Sequence, residues 1–241
     1  MKNLIVLVPL MFVLTVRSQT LNQIATQQTQ LNNLTPSTTI NTWDVSEDKI
    51  IGKRYFSEEY LEGELWTTNN THYTTELTYR FDKVENAVEI KYKDTGKEVQ
   101  LYNEKVVALQ LNINDKKISF LKIPEVDKNN PHNLYQLLVY KEKYKVVKFP
   151  KKKLVVSSNE GESFDAPKNT REYKEDYHYY LKIGEQEYTE FKLSKKGLLK
   201  AFPSHIANIE RILKSPKYED RIKDAIMIDI IDSIRAEKTT N

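Results

Sequence analysis

Between Gly52 and Leu111 the chain alternates apolar and polar residues with a period of two. Trp66, then Leu77, Tyr79 and Phe81, then Val88, Ile90 and Tyr92, then Val99 and Leu101 mark the apolar phase. A helix cannot place such residues on one face, because its same-face period is 3.6; half-buried antiparallel strands can. Asn69-Asn70, Glu85-Asn86 and Asp94-Thr95-Gly96 fall between the runs, where tight turns need residues that tolerate positive φ or bond their own backbone. This meander is the expected scaffold of the molecule.

The same signal continues beyond it. Val106–Leu111, Ile118–Ile123 (stopped by Pro124), Leu134–Tyr140, Tyr144–Phe149, a short Leu154–Val156, Tyr177–Ile183 and Tyr188–Leu193 read as further strands. Residues 157–170 read as a loop, and Lys141-Glu142-Lys143 and Gly184 as hairpin turns. Ten or eleven strands joined by connections too short for parallel crossovers predict a mainly β (α+β) fold. An antiparallel barrel or two-layer sandwich over residues 43–193, with Trp43 buried, would shelter the strand edges.

The period then changes. Leu198, Phe202, Ile206, Ile209 and Leu213 lie on one helical face, with Ser194 as N-cap and Pro203 as a break or restart. After Pro216, a helix over 219–235 carries Ile222, Ile226, Ile230 and Ile234, widened by Ala225, Met227 and Ile231. Stripes this apolar predict that residues 194–236 form a helical cap packed on the β domain.

Residues 1–18 read as an export signal: Lys2, an apolar run from Leu4 to Val16, then Val16-Arg17-Ser18 before a cut at Gln19. Thirteen apolar residues are too few for the roughly 20 that span a bilayer. Residues 19–42, rich in Gln, Asn and Thr, read as a flexible leader. With no cysteine, the chain has no disulfide, no lipid-bearing cysteine and no thiolate chemistry. That pattern favours the bacterial periplasm or exterior. The formal charge of +3, which would fall to +1 without Lys2 and Arg17, argues against nucleic-acid binding. No second hydrophobic span follows the first.

Gly52-x-x-Tyr55, Tyr60-x-x-Gly63, Leu77-Thr78-Tyr79-Arg80-Phe81-Asp82, Leu134-Tyr135-Gln136-Leu137-Leu138 and Lys195-Lys196-Gly197-Leu198-Leu199-Lys200 occur in that order. In this the chain resembles a group of uncharacterised secreted β-rich proteins of Bacteroidetes-type bacteria. In that group a signal peptide precedes a domain with a Leu-Arg-Tyr-Asn-like strand, and a Lys-Lys-Ser-Leu-Leu-Lys-like step leads into C-terminal helices. Gly197 replaces the usual Ser here, and Arg80 follows Tyr79 where the group's Arg comes before it. The resemblance implies address and architecture, not an activity.

No catalytic constellation is readable. His72, His132, His178 and His205 lack the i, i+4 spacing of helical metal ligands, no Gly-x-Ser-x-Gly elbow occurs, and 6 glycines leave little for phosphate loops. No metal, cofactor or catalytic residue is assigned. Asp127, Asn129 and Asn130 lack the Gly and Glu of a calcium loop and read as a turn. Two groups carry the binding expectation. Lys148, Lys151 and Lys152 belong to a basic run that either meets anionic envelope glycan or head groups, or guards an edge strand. Tyr173, Tyr177 and Tyr179 head a dense aromatic group suited to sugars or a protein partner. A non-enzymatic binding or structural role, with envelope glycan or an envelope protein as partner, is therefore expected. The alternative is a polysaccharide hydrolase with paired carboxylates, drawn from Glu58, Glu59, Glu62 and Glu64 or from Glu160, Glu162 and Asp165.

Overall fold

The computed structural model describes residues 50–158, 169–218 and 222–239. The expected signal and leader, Trp43, and the acids Glu160, Glu162 and Asp165 lie outside the described residues. Among the described residues twelve strands are followed by three α-helices: β1 (Ile50–Ile51), β2 (Gly63–Thr67), β3 (His72–Tyr73), β4 (Leu77–Asp82), β5 (Ala87–Tyr92), β6 (Glu98–Gln100), β7 (Val106–Ile113), β8 (Lys116–Lys122), β9 (Leu134–Tyr140), β10 (Tyr144–Ser158), β11 (Asn169–Ile183), β12 (Thr189–Phe191), α1 (Lys195–Ala201), α2 (Ile206–Leu213) and α3 (Ile226–Thr239). Nine strands form one sheet in the order β1-β11-β10-β9-β8-β7-β2-β3, with β12 also on β11, and β4-β5-β6 form a second. The fold is mainly β, with layered sheets and no closed barrel.

The turns follow the sequence. Asn70 and Asn86 adopt positive φ, and Asn114-Asp115 does so at both positions, as a two-residue hairpin between twisted strands requires. Gly63 meets a different demand. The chain pairs with β4 at Leu61 and with β7 from Gly63 onward, stepping from one sheet to the other within two residues. A Cβ at Gly63 would lie 2.1 Å from the Gln110 carbonyl oxygen and 3.2 Å from the Tyr79 ring.

Pairing partners share a face, so register traces a row across the large sheet: Tyr73, Leu65, Leu109, Phe120, Gln136, Lys148, Tyr179 and Phe191. One end of this row faces β4–β6, where Leu77, Tyr79, Phe81, Val88 and Ile90 complete a core. The other end faces the helices, where Leu198, Phe202, Ile209, Ile226, Ile230 and Ile234 pack with Val139, Val146 and Leu181. Two cores thus lie on one face of one sheet, with a polar strip between them. The small sheet is stitched to β9 by Asn86, whose amide donates to the Leu134 carbonyl (2.9 Å) and accepts from its N–H (2.8 Å).

Several expectations are corrected. Trp66 does not point into the core; Leu65 does, while Trp66 stacks on His72 at 4.5 Å. Residues 144–149 and 154–156 are not separate strands, since β10 and β11 each run 15 residues. Pro150 is tolerated because β10 has left β9 by then, so that side needs no N–H there until Lys152 donates to the Lys83 carbonyl (2.9 Å). Pairing is antiparallel except for β1, which runs parallel to β11 over two residues. The last helix begins at Ile226 because Asp224 is drawn to the sheet, and Ile206 is 47% exposed because a 3₁₀ turn at Pro203–His205 shifts the helical phase.

Candidate functional site

The strip between the cores holds three buried lysines. Lys148 and Lys152 come from β10, two steps apart on the inward row, and Lys83 comes from the β4–β5 turn; each is 7% exposed. Lys148 Nζ donates to Asp224 Oδ2 (2.8 Å) and sits 3.6 Å from the centre of the Tyr177 ring. Asp224 Oδ1 accepts from the Tyr179 hydroxyl (2.8 Å). Lys152 and Lys83 share one carboxylate, Glu175, at 3.0 and 3.9 Å. Burial pushes the Lys83 ammonium down to about 8; Glu175 pulls it back up, against further lowering by Lys152 and Lys148. Three ammonium groups thus meet two carboxylates in a joint between the sheet, the β4–β5 turn and the segment leading into α3.

Of the six residues singled out in sequence, Lys148, Lys152, Tyr177 and Tyr179 meet in this strip. Tyr173 is on the same face six residues along β11, about 20 Å from Tyr179. Lys151 points to the opposite, exposed side. The idea of a basic edge fails for Lys148, because β10 is flanked there by β9 and β11.

The described acids of the first candidate set, Glu58, Glu59, Glu62 and Glu64, are engaged or spread on the surface. Glu62 pairs with Lys93 (2.8 Å), Glu64 with His72 (2.9 Å) and Lys117 (3.3 Å), and Glu58 and Glu59 are exposed. On the outer face of β4–β6, Glu89 accepts from Arg80 Nη2 (2.6 Å), and the Arg80 guanidinium is stacked between Tyr55 (3.8 Å) and Tyr60 (4.4 Å). The Tyr60 hydroxyl reaches Glu98 (3.0 Å) and Glu89 (3.3 Å). Asp127 accepts from Asn129 N (3.0 Å) and Asn130 Nδ2 (2.8 Å), as a turn does. Among the described residues no three acids or histidines gather as a metal site.

An open cleft of about 690 Å³ lies between the β11–β12 hairpin and α1. Leu181, Ile183, Phe191 and Ala201 give it an apolar floor, and Lys192, Lys196 and Lys200 stand among its lining residues. The approach depends on Gly197, where a Cβ would fall 2.0 Å from the Lys192 carbonyl oxygen; α1 therefore lies directly against the strand end. Ser194 caps α1 by accepting from Gly197 N (3.2 Å). The one carboxylate in the lining, Glu190, is taken by His178 (2.7 Å). No carboxylate among the described residues pairs with the three lysines, whereas their neighbour Lys195 binds Glu210 (3.4 Å). Sequence reasoning missed these lysines. The available signal was the i, i+4 spacing of Lys196 and Lys200 on a short helix.

No family model, curated protein or solved structure matches this chain. Among the described residues no helix is long and apolar enough to cross a membrane.

Proposed function

We propose that this protein is an exported bacterial binding protein, working in the periplasm or outside the cell without chemistry of its own, and that the cleft between the β11–β12 hairpin and α1 is its binding site. The observation that carries this reading is the combination of an apolar floor with three lysines that no carboxylate among the described residues neutralises. A concave site of a few hundred Å³ with a few convergent polar groups is the usual form of a small-ligand site. The export reading rests on the N-terminal sequence and on the absence of cysteine. A role for paired carboxylates finds no support in acids that pair with cations or face solvent.

The test fills the cleft. Ala201→Trp places a large ring among the lining residues at the C-terminal end of α1, where Ala201 is partly buried. The chain, purified from its own envelope extract, should retain a ligand detectable by native mass spectrometry, and A201W of unchanged melting midpoint should not. Equal retention by both would remove the cleft from the reading.

A further inference from the structure

We infer that the ligand of this cleft is an anionic amphiphile: a carboxylate or other acidic head group carried on an aliphatic or aromatic body. The inference deepens the binding reading above and rests on it. Three features narrow the ligand class. First, Lys192, Lys196 and Lys200 bring positive charge from two elements to one concavity, and Glu190 is already occupied by His178. An anion entering there meets cations that are solvated but unpaired, so it gains attraction without having to break an ion pair. Second, the floor is Leu181, Ile183, Phe191 and Ala201, the margin of the core beneath the helices. Ile183 and Ala201 are its partly exposed members; a purely polar anion such as inorganic phosphate would leave them in water, whereas an aliphatic or aromatic body covers them. Third, a multiply hydroxylated acidic sugar would find one aromatic ring here, Phe191, itself only 9% exposed. The tyrosines suited to stacking on sugars, Tyr177 and Tyr179, face the lysine strip, where Tyr177 lies over Lys148 and Tyr179 binds Asp224. Charge and floor together therefore favour an amphiphile over a glycan.

The probes are decanoate, decyltrimethylammonium and oligogalacturonate, each titrated below micelle formation into the full chain and into K192Q/K196Q/K200Q, with binding read by calorimetry. The three lysines are exposed, so the triple variant should keep its circular dichroism and melting midpoint. Decanoate should bind the unaltered chain and bind the triple variant about tenfold more weakly, as expected for losing three solvent-facing charge contacts. Decyltrimethylammonium should not bind. Equal binding of the cationic and anionic chains would overturn the inference while leaving a binding cleft. So would lysine-dependent binding of oligogalacturonate in place of decanoate. If none of the three binds and the retained material from native extract is unaffected by A201W, the inference and the binding reading fall together.

Discussion

Six lysines divide into two sets whose fates differ although their chemistry is the same. Lys83, Lys148 and Lys152 are shut between two cores and share two carboxylates and a tyrosine face. Lys192, Lys196 and Lys200 stand at an open cleft and pair with no carboxylate among the described residues. A charge in the first position must be compensated by the protein, because desolvation costs several kcal/mol per ion. One in the second is compensated by water until something else arrives. The comparison teaches that the buried lysines belong to the architecture, whereas the exposed ones at the cleft take no part in it and are open to the ligand proposed above.

The bluntest way to break this contrast is to lift the cover from the first set. Ile226 is fully buried in α3, and Ile226→Asp should cost more than about 4 kcal/mol, read as a drop in denaturant midpoint, by placing an unpaired charge in the helical core. If the β strands keep their original midpoint without the helices, as a chain truncated after Leu193 would reveal, the strip is not a shared joint. Next in size is Asp224→Ala, which strands Lys148. It should cost about 2–3 kcal/mol, discounted because the carboxylate is partly exposed, whereas Glu190→Ala at the cleft should be nearly silent.

The pH dependence is smaller and has a defined sign. Lys83 falls to about 8 when folded, against 10.5 for a free lysine, so between those values the unfolded chain holds more protons and stability rises with pH. Burial pushes the Tyr135 hydroxyl up to about 12 from 10.0, so its contribution is present below pH 10 and is lost from there to about pH 12. A melting curve should therefore crest near pH 10, and Lys83→Met should flatten the rising limb. The smallest effect is expected of K192Q/K196Q/K200Q on folding, within about 0.5 kcal/mol, since those lysines support nothing in the fold.

Local features account for what could be read in advance. Period two located the β4, β5, β7 and β9 strands, Asn and Gly marked the turns, and the isoleucine stripe announced a buried helix. What escaped was set by register and by distance in sequence. Lys83 reads as a polar turn residue, and nothing local reveals that Lys152 and Glu175 arrive beside it. Pro150 reads as a strand break unless one knows that β10 has no neighbour on that side. The candidate cleft joins residues 181–201 through a helix that only a glycine at 197 lets approach, and close approach leaves no periodic trace.

Because both cores rest on one face of the large sheet, β9 belongs to each, through Leu134 on one side and Val139 on the other. Neither core can be released without exposing that strand, so its amides should exchange with solvent only when the whole chain opens. The two-residue margins β1 and β3, each paired on a single side, exchange first. A ligand at the cleft, which touches β11, β12 and α1, would therefore slow exchange in the shared strand β9 only by stabilising the entire fold.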